Sequence, residues 1–267
     1  SNMRFGCCLN MLSTLPDGTG VEWIEVFNRN NYDYVELPLA QMMALDDEKF
    51  EALKERVLSS GLPCEACNNF FPGSIRLTGP RVDMKKTEQY LMTALDRAQQ
   101  LGVKTIVFGS SQAKNVPEGF PMDQAWKQLI DLLRFIDDAV KPYGITIAIE
   151  PLNRQESNII NTYAEGLELA EKVARDNIRV LVDYYHLAIE KENPEILLKK
   201  PEMLQHVHFA KPEKRVFPKK QAGEDYSGFF SILKQAGYEG RISVEAYTGD
   251  LENDACEAIK LLRNLAG

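Results

Sequence analysis

Short apolar runs alternate with longer stretches of helical period along the whole chain. Near-continuous apolar segments at residues 4–8, 34–37, 62–66, 104–108, 145–150, 179–183, 206–210 and 241–246 predict eight strands. Residues 145–149 read Ile-Thr-Ile-Ala-Ile, the composition of a strand covered on both faces. Helices are predicted between them at 21–28, 46–60, 87–100, 123–140, 162–175, 228–235 and 253–265, with a short one at Pro194–Leu198. Segment 46–60 spaces Phe50, Leu53, Val57 and Leu58 helically; segment 87–100 does the same with Tyr90, Leu91, Ala94, Leu95 and Ala98. The punctuation agrees. Gly61 with Pro63, Gly102, and Pro142 with Gly144 stop three of the helices, and Thr162 with Glu165 forms a capping-box pattern.

Eight strand-then-helix units imply a parallel sheet with right-handed crossovers. In a chain of 267 residues that is the size of an α/β fold of the (β/α)8 TIM-barrel type, one domain over residues 4–267. Residues 1–3, Ser-Asn-Met, read as an expression-tag remnant. An open doubly wound sheet is the alternative. It lacks support because neither G-x-G-x-x-G nor G-x-x-x-x-G-K-[ST] occurs.

Charge narrows the class of partner. Lys plus Arg is 31 against 39 for Asp plus Glu, a net charge of −8, which disfavours nucleic acid and anionic membrane surfaces. No apolar run is long enough to span a bilayer and no signal-peptide pattern is visible. The five cysteines, Cys7, Cys8, Cys64, Cys67 and Cys256, are odd in number and sparse, which points to reduced thiols in the cytoplasm. Cys64 and Cys67 have C-x-x-C spacing, but no further pair of ligands stands at zinc-site spacing.

The chemistry concentrates at the ends of the last four predicted strands, which carry Glu150, Asp183, His208 and Glu245. In a barrel these ends surround one mouth, where active sites are built. Three carboxylates brought together repel and are driven towards protonation unless a cation joins them. Oxygen donors with one nitrogen suit Mn²⁺ or Mg²⁺, with Co²⁺ or Zn²⁺ as alternatives. His206 and His208 lie two apart on one strand and share a face. His208, nearer the strand end, is the expected ligand and His206 a supporting residue.

Glu150-Pro151-Leu152-Asn153-Arg154-Gln155-Glu156-Ser157, followed by Asn161-Thr162, resembles a segment of the ketose 3-epimerases. These are the D-tagatose and D-psicose 3-epimerase group of the xylose-isomerase-like sugar isomerase/epimerase superfamily. Asp183-Tyr184-Tyr185-His186, His206-Val207-His208 with Arg215, and Val244-Glu245-Ala246 resemble later motifs of that family in the same order. The resemblance implies a TIM barrel holding one Mn²⁺-type ion through Glu150, Asp183, His208 and Glu245. It implies that Glu156, His186 and Arg215 contact sugar hydroxyls, and that Glu150 and Glu245 are the acid/base pair. Metal chelation would stabilise an enediolate while one glutamate takes the C3 proton and the other returns one to the opposite face. Return to the neighbouring carbon would make an aldose–ketose isomerase. The resembling family also implies a homo-oligomer.

The chain departs from that pattern after His208, where it runs Phe209-Ala210-Lys211-Pro212-Glu213-Lys214-Arg215. Lys211, Lys214, Arg215, Lys219 and Lys220 make either a solvated loop or a site for an anionic sugar. Glu36, at the end of the second strand, is either a support for the site or a filler of the barrel interior. Tyr184, Tyr185, Phe70 and Phe71 are candidate pocket walls, and Trp23 and Trp126 are expected in the core. Hydroxypyruvate isomerase and inosose dehydratase chemistry are enzymatic alternatives, and a sugar-binding barrel without chemistry is the non-enzymatic one. An endonuclease IV-type trinuclear zinc site would need more than the three histidines present.

Overall fold

Each apolar run is a strand covered on both sides, by helices outside and by side chains of neighbouring strands inside. The computed structural model describes residues 2–267. Of the residues 1–3 read as a tag remnant, Ser1 lies outside the described residues, and Met3 packs into the core.

The strands are β1 (Arg4–Cys8), β2 (Tyr34–Pro38), β3 (Cys64–Asn68), β4 (Thr105–Phe108), β5 (Thr146–Ile149), β6 (Ile178–Asp183), β7 (Leu204–Phe209) and β8 (Arg241–Val244). They pair in parallel in chain order, and β8 closes on β1, as in a single-domain TIM barrel. The outer layer includes helices Asp47–Ser59, Met84–Leu101, Met122–Val140, Tyr163–Val173, Ser227–Gln235 and Leu251–Ala266. Asp46 and Asp83 cap two of them through their side chains, and Thr162 with Glu165 forms the full capping box.

Differences from the sequence reading have local causes. The third strand lies two residues later than expected, because Pro63 has no N–H to give a ladder and serves only as an acceptor for the Val35 N–H. Residues 21–28 split into a 3-10 turn, Val21–Trp23, and a short helix, Ile24–Arg29. The helix from Tyr163 stops at Val173, where Ala174 turns left-handed at φ 56°. Leu58 faces solvent, 61% exposed, while Phe50, Leu53 and Val57 face inward. Three short helices follow strands with no more than two residues between: Leu39–Met43, Ser111–Lys114 and Tyr184–Ile189. They are too short for a helical period to reveal. Trp23 and Trp126 are half-buried against the core.

The barrel interior is divided. Val107, Ala148 and Leu181 form a small apolar cluster separate from the main core. In-register pairing places Leu181 beside His206 on β7, and the wall from β7 to β2 carries His206, His208, Ser243, Tyr34 and Glu36 instead. The register of β2 against β3 shifts between Val35 and Glu36, and that of β6 against β7 between Val180 and Leu181. Such irregularities re-aim side chains.

Gly6 makes room for this polar wall. A Cβ there would sit 2.4 Å from the buried Tyr34 ring, whose hydroxyl is 2.7 Å from Ser243 Oγ. Gly6→Ala is expected to cost about 1–3 kcal/mol through overpacking. The check is urea unfolding: a lower midpoint at unchanged slope is expected, and an unchanged midpoint would show that the wall yields freely.

Candidate active site

The four strand-end residues meet at the C-terminal mouth. Asp183 ends β6 and His208 lies in β7. Glu150 and Glu245 each fall one residue past β5 and β8, yet their N–H groups still donate to Phe108 and Phe209 carbonyls at 2.9 and 3.0 Å. All four side chains are buried. Each offers a ligand atom, and these atoms lie within 4.8 Å of one another.

His208 organises the group. Its Nδ1 lies 3.2 Å from Glu150 Oε2, 3.5 Å from Glu245 Oε2 and 3.7 Å from Asp183 Oδ2. Its Nε2 lies 2.7 Å from Glu36 Oε2, and the other Glu36 oxygen is 2.7 Å from both His206 Nε2 and Ser243 Oγ. Glu36 therefore backs the site from inside the barrel. Burial would raise its carboxyl, but the two imidazoles outweigh that and hold it well below the usual range. Burial likewise opposes a charge on His208, yet Cys8 and the surrounding carboxylates lift it well above the ordinary imidazole value.

The carboxylates have unequal surroundings. Burial, with Glu245 and Asp183 nearby, pushes Glu150 up to about 8 despite His208. Burial raises Glu245 too, but His208 and Arg215 bring it below its ordinary value. Arg215 Nη2 donates to Glu245 Oε1 at 2.5 Å, and Asn68 Nδ2 donates to Oε2 at 3.2 Å. Asp183 Oδ1 accepts the N–H groups of Tyr185 and His186 at the start of the following short helix. Its Oδ2 is buried without a hydrogen-bond partner among the described residues.

This donor set fits a divalent cation. Two unit charges 4 Å apart repel by about 4 kcal/mol at an effective dielectric of about 20, and three carboxylates converge here on one imidazole. Asp183 Oδ2 makes no hydrogen bond, its approaches from His208 Nδ1 and Arg215 Nη2 being 3.7 and 3.8 Å, and so is left able to ligate. Glu36, His206 and His208 also lie close together, but their own hydrogen bonds occupy them.

Glu156, His186 and Arg215 border a cavity of about 220 Å³ above the carboxylates, with Asn10, Asn68 and Tyr247 among the other lining residues. The Asn153 N–H donates to His186 Nδ1 at 3.1 Å, so Nε2 of the neutral ring carries the hydrogen. That Nε2 is buried, has no hydrogen-bond partner among the described residues, and lies 3.9 Å from Asp183 Oδ2. Arg215 stacks 4.5 Å over the Tyr185 ring, and Glu156 Oε2 lies 3.6 Å from its Nη1.

The loop after β7 explains the departure in sequence. Lys214 and Arg215 both have left-handed backbone, φ 63° and 53°, and the loop is tied to the segment after β8 by Tyr247 N–H to Arg215 O and Phe217 N–H to Tyr247 O. Of the five cations there, only Arg215 borders the cavity. Lys211 pairs with Glu224 and Lys219 with Asp254, so the run does not converge into one anion site. Phe70 and Phe71 stack on each other, and Tyr184 packs on Phe209; of the four aromatic wall candidates, Tyr185 lies beneath Arg215 and Phe71 lines a neighbouring cleft. Cys64 and Cys67 are buried free thiols.

Asn68, Asn153 and Lys114 were not singled out from sequence. Asn68 ends a strand, which is the signal that could have found it. Lys114 gives no such signal: a lysine on a four-residue helix reads as surface, yet it is fully buried with Nζ 3.3 Å from Ser157 Oγ.

A model of the xylose isomerase-like TIM barrel matches residues 24–265, and the chain belongs to that family. It is 25% identical to an inosose isomerase of Halalkalibacterium halodurans, covering 96% of this chain and 93% of that protein. It is 23% identical to a ketose 3-epimerase of Arthrobacter globiformis, covering 98% of this chain and 90% of that protein. A crystal structure of D-psicose 3-epimerase in the presence of D-fructose shares the fold, with a TM-score of 0.86 at 18% identity over 99% of this chain and 100% of that one. The chain is an enzyme of the sugar isomerase and epimerase class. No helix of the described residues is long and apolar enough to cross a membrane.

Burial lowers Lys114 from 10.5 to about 7, against the opposing pull of Glu150 and Glu156. The unfolded chain therefore binds more protons between pH 7 and 10.5, and the penalty is fully present below pH 7 and fades as pH rises. Lys114→Met is expected to stabilise the protein by a few kcal/mol, by the order of ~1.4 kcal/mol per pKa unit, at pH 6 and much less at pH 9.5. Urea midpoints at the two pH values check this, and an equal gain at both would contradict it.

Proposed function

We propose that this enzyme is a divalent-metal-dependent ketose 3-epimerase. Glu150, Asp183, His208 and Glu245 hold one Mn²⁺-type ion, for which Mg²⁺, Co²⁺ or Zn²⁺ can stand in given the donors. The observation that carries the reading is the convergence of three carboxylates and one imidazole nitrogen beneath a cavity of about 220 Å³, with a buried Asp183 oxygen left without a hydrogen bond. When bound, the ion supplies Lewis acidity towards a ketose carbonyl and so acidifies the adjacent C–H.

Glu150 and Glu245 are the proton-transfer pair. They rise from β5 and β8, which are not neighbours in the barrel, so they can address two faces of one carbon. One glutamate accepts the C3 proton and the other delivers a proton to the opposite face. In the reverse reaction they exchange roles. Arg215 favours the ionised form of Glu245, and Glu156, His186 and Arg215 bind hydroxyls. The His186 Nε2–H is a buried donor awaiting an acceptor. Five free cysteines, four of them buried, support a reducing, cytoplasmic setting. The inosose isomerase relative supports a second reading, in which the same pair moves a proton on a cyclic keto-polyol.

The test is deuterium incorporation from D₂O by the Mn²⁺-loaded enzyme, followed by NMR on free ketoses and an inosose. Label at C3 of a ketose with its epimer is expected; label on the inosose alone selects the second reading, and label at the carbon next to an aldose carbonyl would make it an isomerase. Glu150→Gln and Glu245→Gln are each expected to lower the exchange rate at least 10³-fold, within the range of lost acid–base catalysis of about 10²–10⁴. Turnover surviving in both would remove the assignment of the pair. Glu36→Gln, which loosens the hydrogen bond that orients His208, is expected to weaken Mn²⁺ binding about 10–100-fold by calorimetric titration. Unchanged affinity would make Glu36 a filler.

A further inference from the structure

A second cleft adjoins the cavity above the carboxylates. It has a volume of about 460 Å³ and lies over the loops that follow β1 to β4. Asn69, Ser110 and Ser111 line both spaces, so the two lie side by side at the barrel mouth. Small-molecule clefts run from about 300 to 1,000 Å³. The cavity above the carboxylates, about 220 Å³, falls short of that range alone, and the two together lie inside it.

The lining of the cleft is polar and almost uncharged. Gln41, Asn69, Ser110, Ser111 and Gln112 offer amides and hydroxyls beside the Phe71 ring, Asn69 Nδ2 donating to Gln41 Oε1 at 3.3 Å, and no cation of the described residues lines it. Its one carboxylate, Asp17, accepts from the N–H and hydroxyl of Thr19 at 3.0 and 3.1 Å. Nearby Arg76 donates to the carbonyls of Gln112 and Asn115, which keeps its charge on the backbone. A phosphate or carboxylate would find no counter-charge here, whereas a neutral polyol would find donors and acceptors of both kinds.

The shared wall carries unusual backbone. Asn69 and Ser110 are both left-handed, φ 48° and 43°, and each is pinned: the Asn69 carbonyl accepts the Ala40 N–H at 2.7 Å, and Ser110 Oγ accepts the Phe71 N–H at 3.1 Å. Strain of this kind persists where surrounding structure over-determines it, and it clusters at ligand sites.

We infer that the cleft is a subsite for a second, neutral sugar ring, so that the enzyme's preferred substrate is a glycosylated ketose rather than a free one. The inference rests on the epimerase reading for the position of the reacting ring. The second ring is recognised by hydrogen bonds from Gln41, Asn69, Ser110, Ser111 and Gln112. Ala44, exposed at the cleft edge, sets its width.

The experiment compares wild type, Ala44→Trp and Gln112→Trp, two cleft-filling changes at exposed positions, so that one variant remains informative if the other does not fold. Deuterium exchange gives kcat/KM for D-fructose and D-psicose and for the ketose-ended disaccharides lactulose and isomaltulose. Saturation-transfer NMR on metal-free protein reports which sugar protons touch it without any turnover. The expected result is at least a tenfold higher kcat/KM for one disaccharide than for either free ketose, with saturation on protons of the second ring. Each Trp variant is expected to lower that preference at least tenfold and to remove the second-ring signal. Exchange of free ketoses as fast as disaccharides, with no second-ring saturation, overturns the subsite and leaves the epimerase reading intact. Second-ring saturation lost in the Trp variants, but no exchange in any sugar, supports the subsite and overturns the epimerase reading.

Discussion

Three carboxylates are buried within a few ångströms of one another, and most of what surrounds the barrel mouth is an answer to their repulsion. In a dry site, such a group is stable only if positive charge or proton donors are built around it. The structure supplies them from separate directions. His208 presents Nδ1 to all three acids, Arg215 donates to Glu245, Asn68 supports its second oxygen, and the first turn of the short helix after β6 caps Asp183. These partners leave Asp183 Oδ2 without a hydrogen bond, although His208 and Arg215 nitrogens stand 3.7 and 3.8 Å away, and they leave the Glu150 carboxyl raised. A cation there would resolve the remaining conflict.

Holding His208 in place requires a fourth acid. Glu36 lies fully buried inside the barrel between two imidazoles and a serine hydroxyl, which together satisfy both of its oxygens. A buried carboxylate is costly without such partners and rigid with them. This explains the divided interior. The wall from β7 to β2 gives up apolar packing to build a hydrogen-bonded support, while Val107, Ala148 and Leu181 keep the opposite wall apolar. Gly6, by admitting the Tyr34 ring, lets the support extend through Ser243.

Loops complete what strands begin. The strand ends place the charges, but Glu156, His186 and Arg215, which border the cavity, come from the segment after β5, the short helix after β6 and the strained turn after β7. That turn is held by the chain beyond β8, so Arg215 reaches Glu245 through contacts between elements distant in sequence. The adjoining cleft is built the same way, from loops over the first half of the barrel.

The sequence by itself determined the barrel and the strand-end residues that converge on its mouth. Alternating buried runs and amphipathic helices have one economical parallel closure, and polar residues at the ends of buried strands are visible because they break an apolar run. Boundaries moved where local chemistry intervened, as at Pro63 and Ala174. Tertiary structure decided the rest. Glu36 could be a filler or a support until pairing brought β2 across from β7 and its oxygens onto His206 and His208. Lys114 reads as a surface residue on a short helix, and only packing of the loop after β5 over it buries the amine. The cations after His208 looked like one patch, and the fold separated Arg215 from lysines that pair elsewhere. Periodicity reports which face of an element is buried; it does not report which elements meet, and the roles of these residues depend on that meeting.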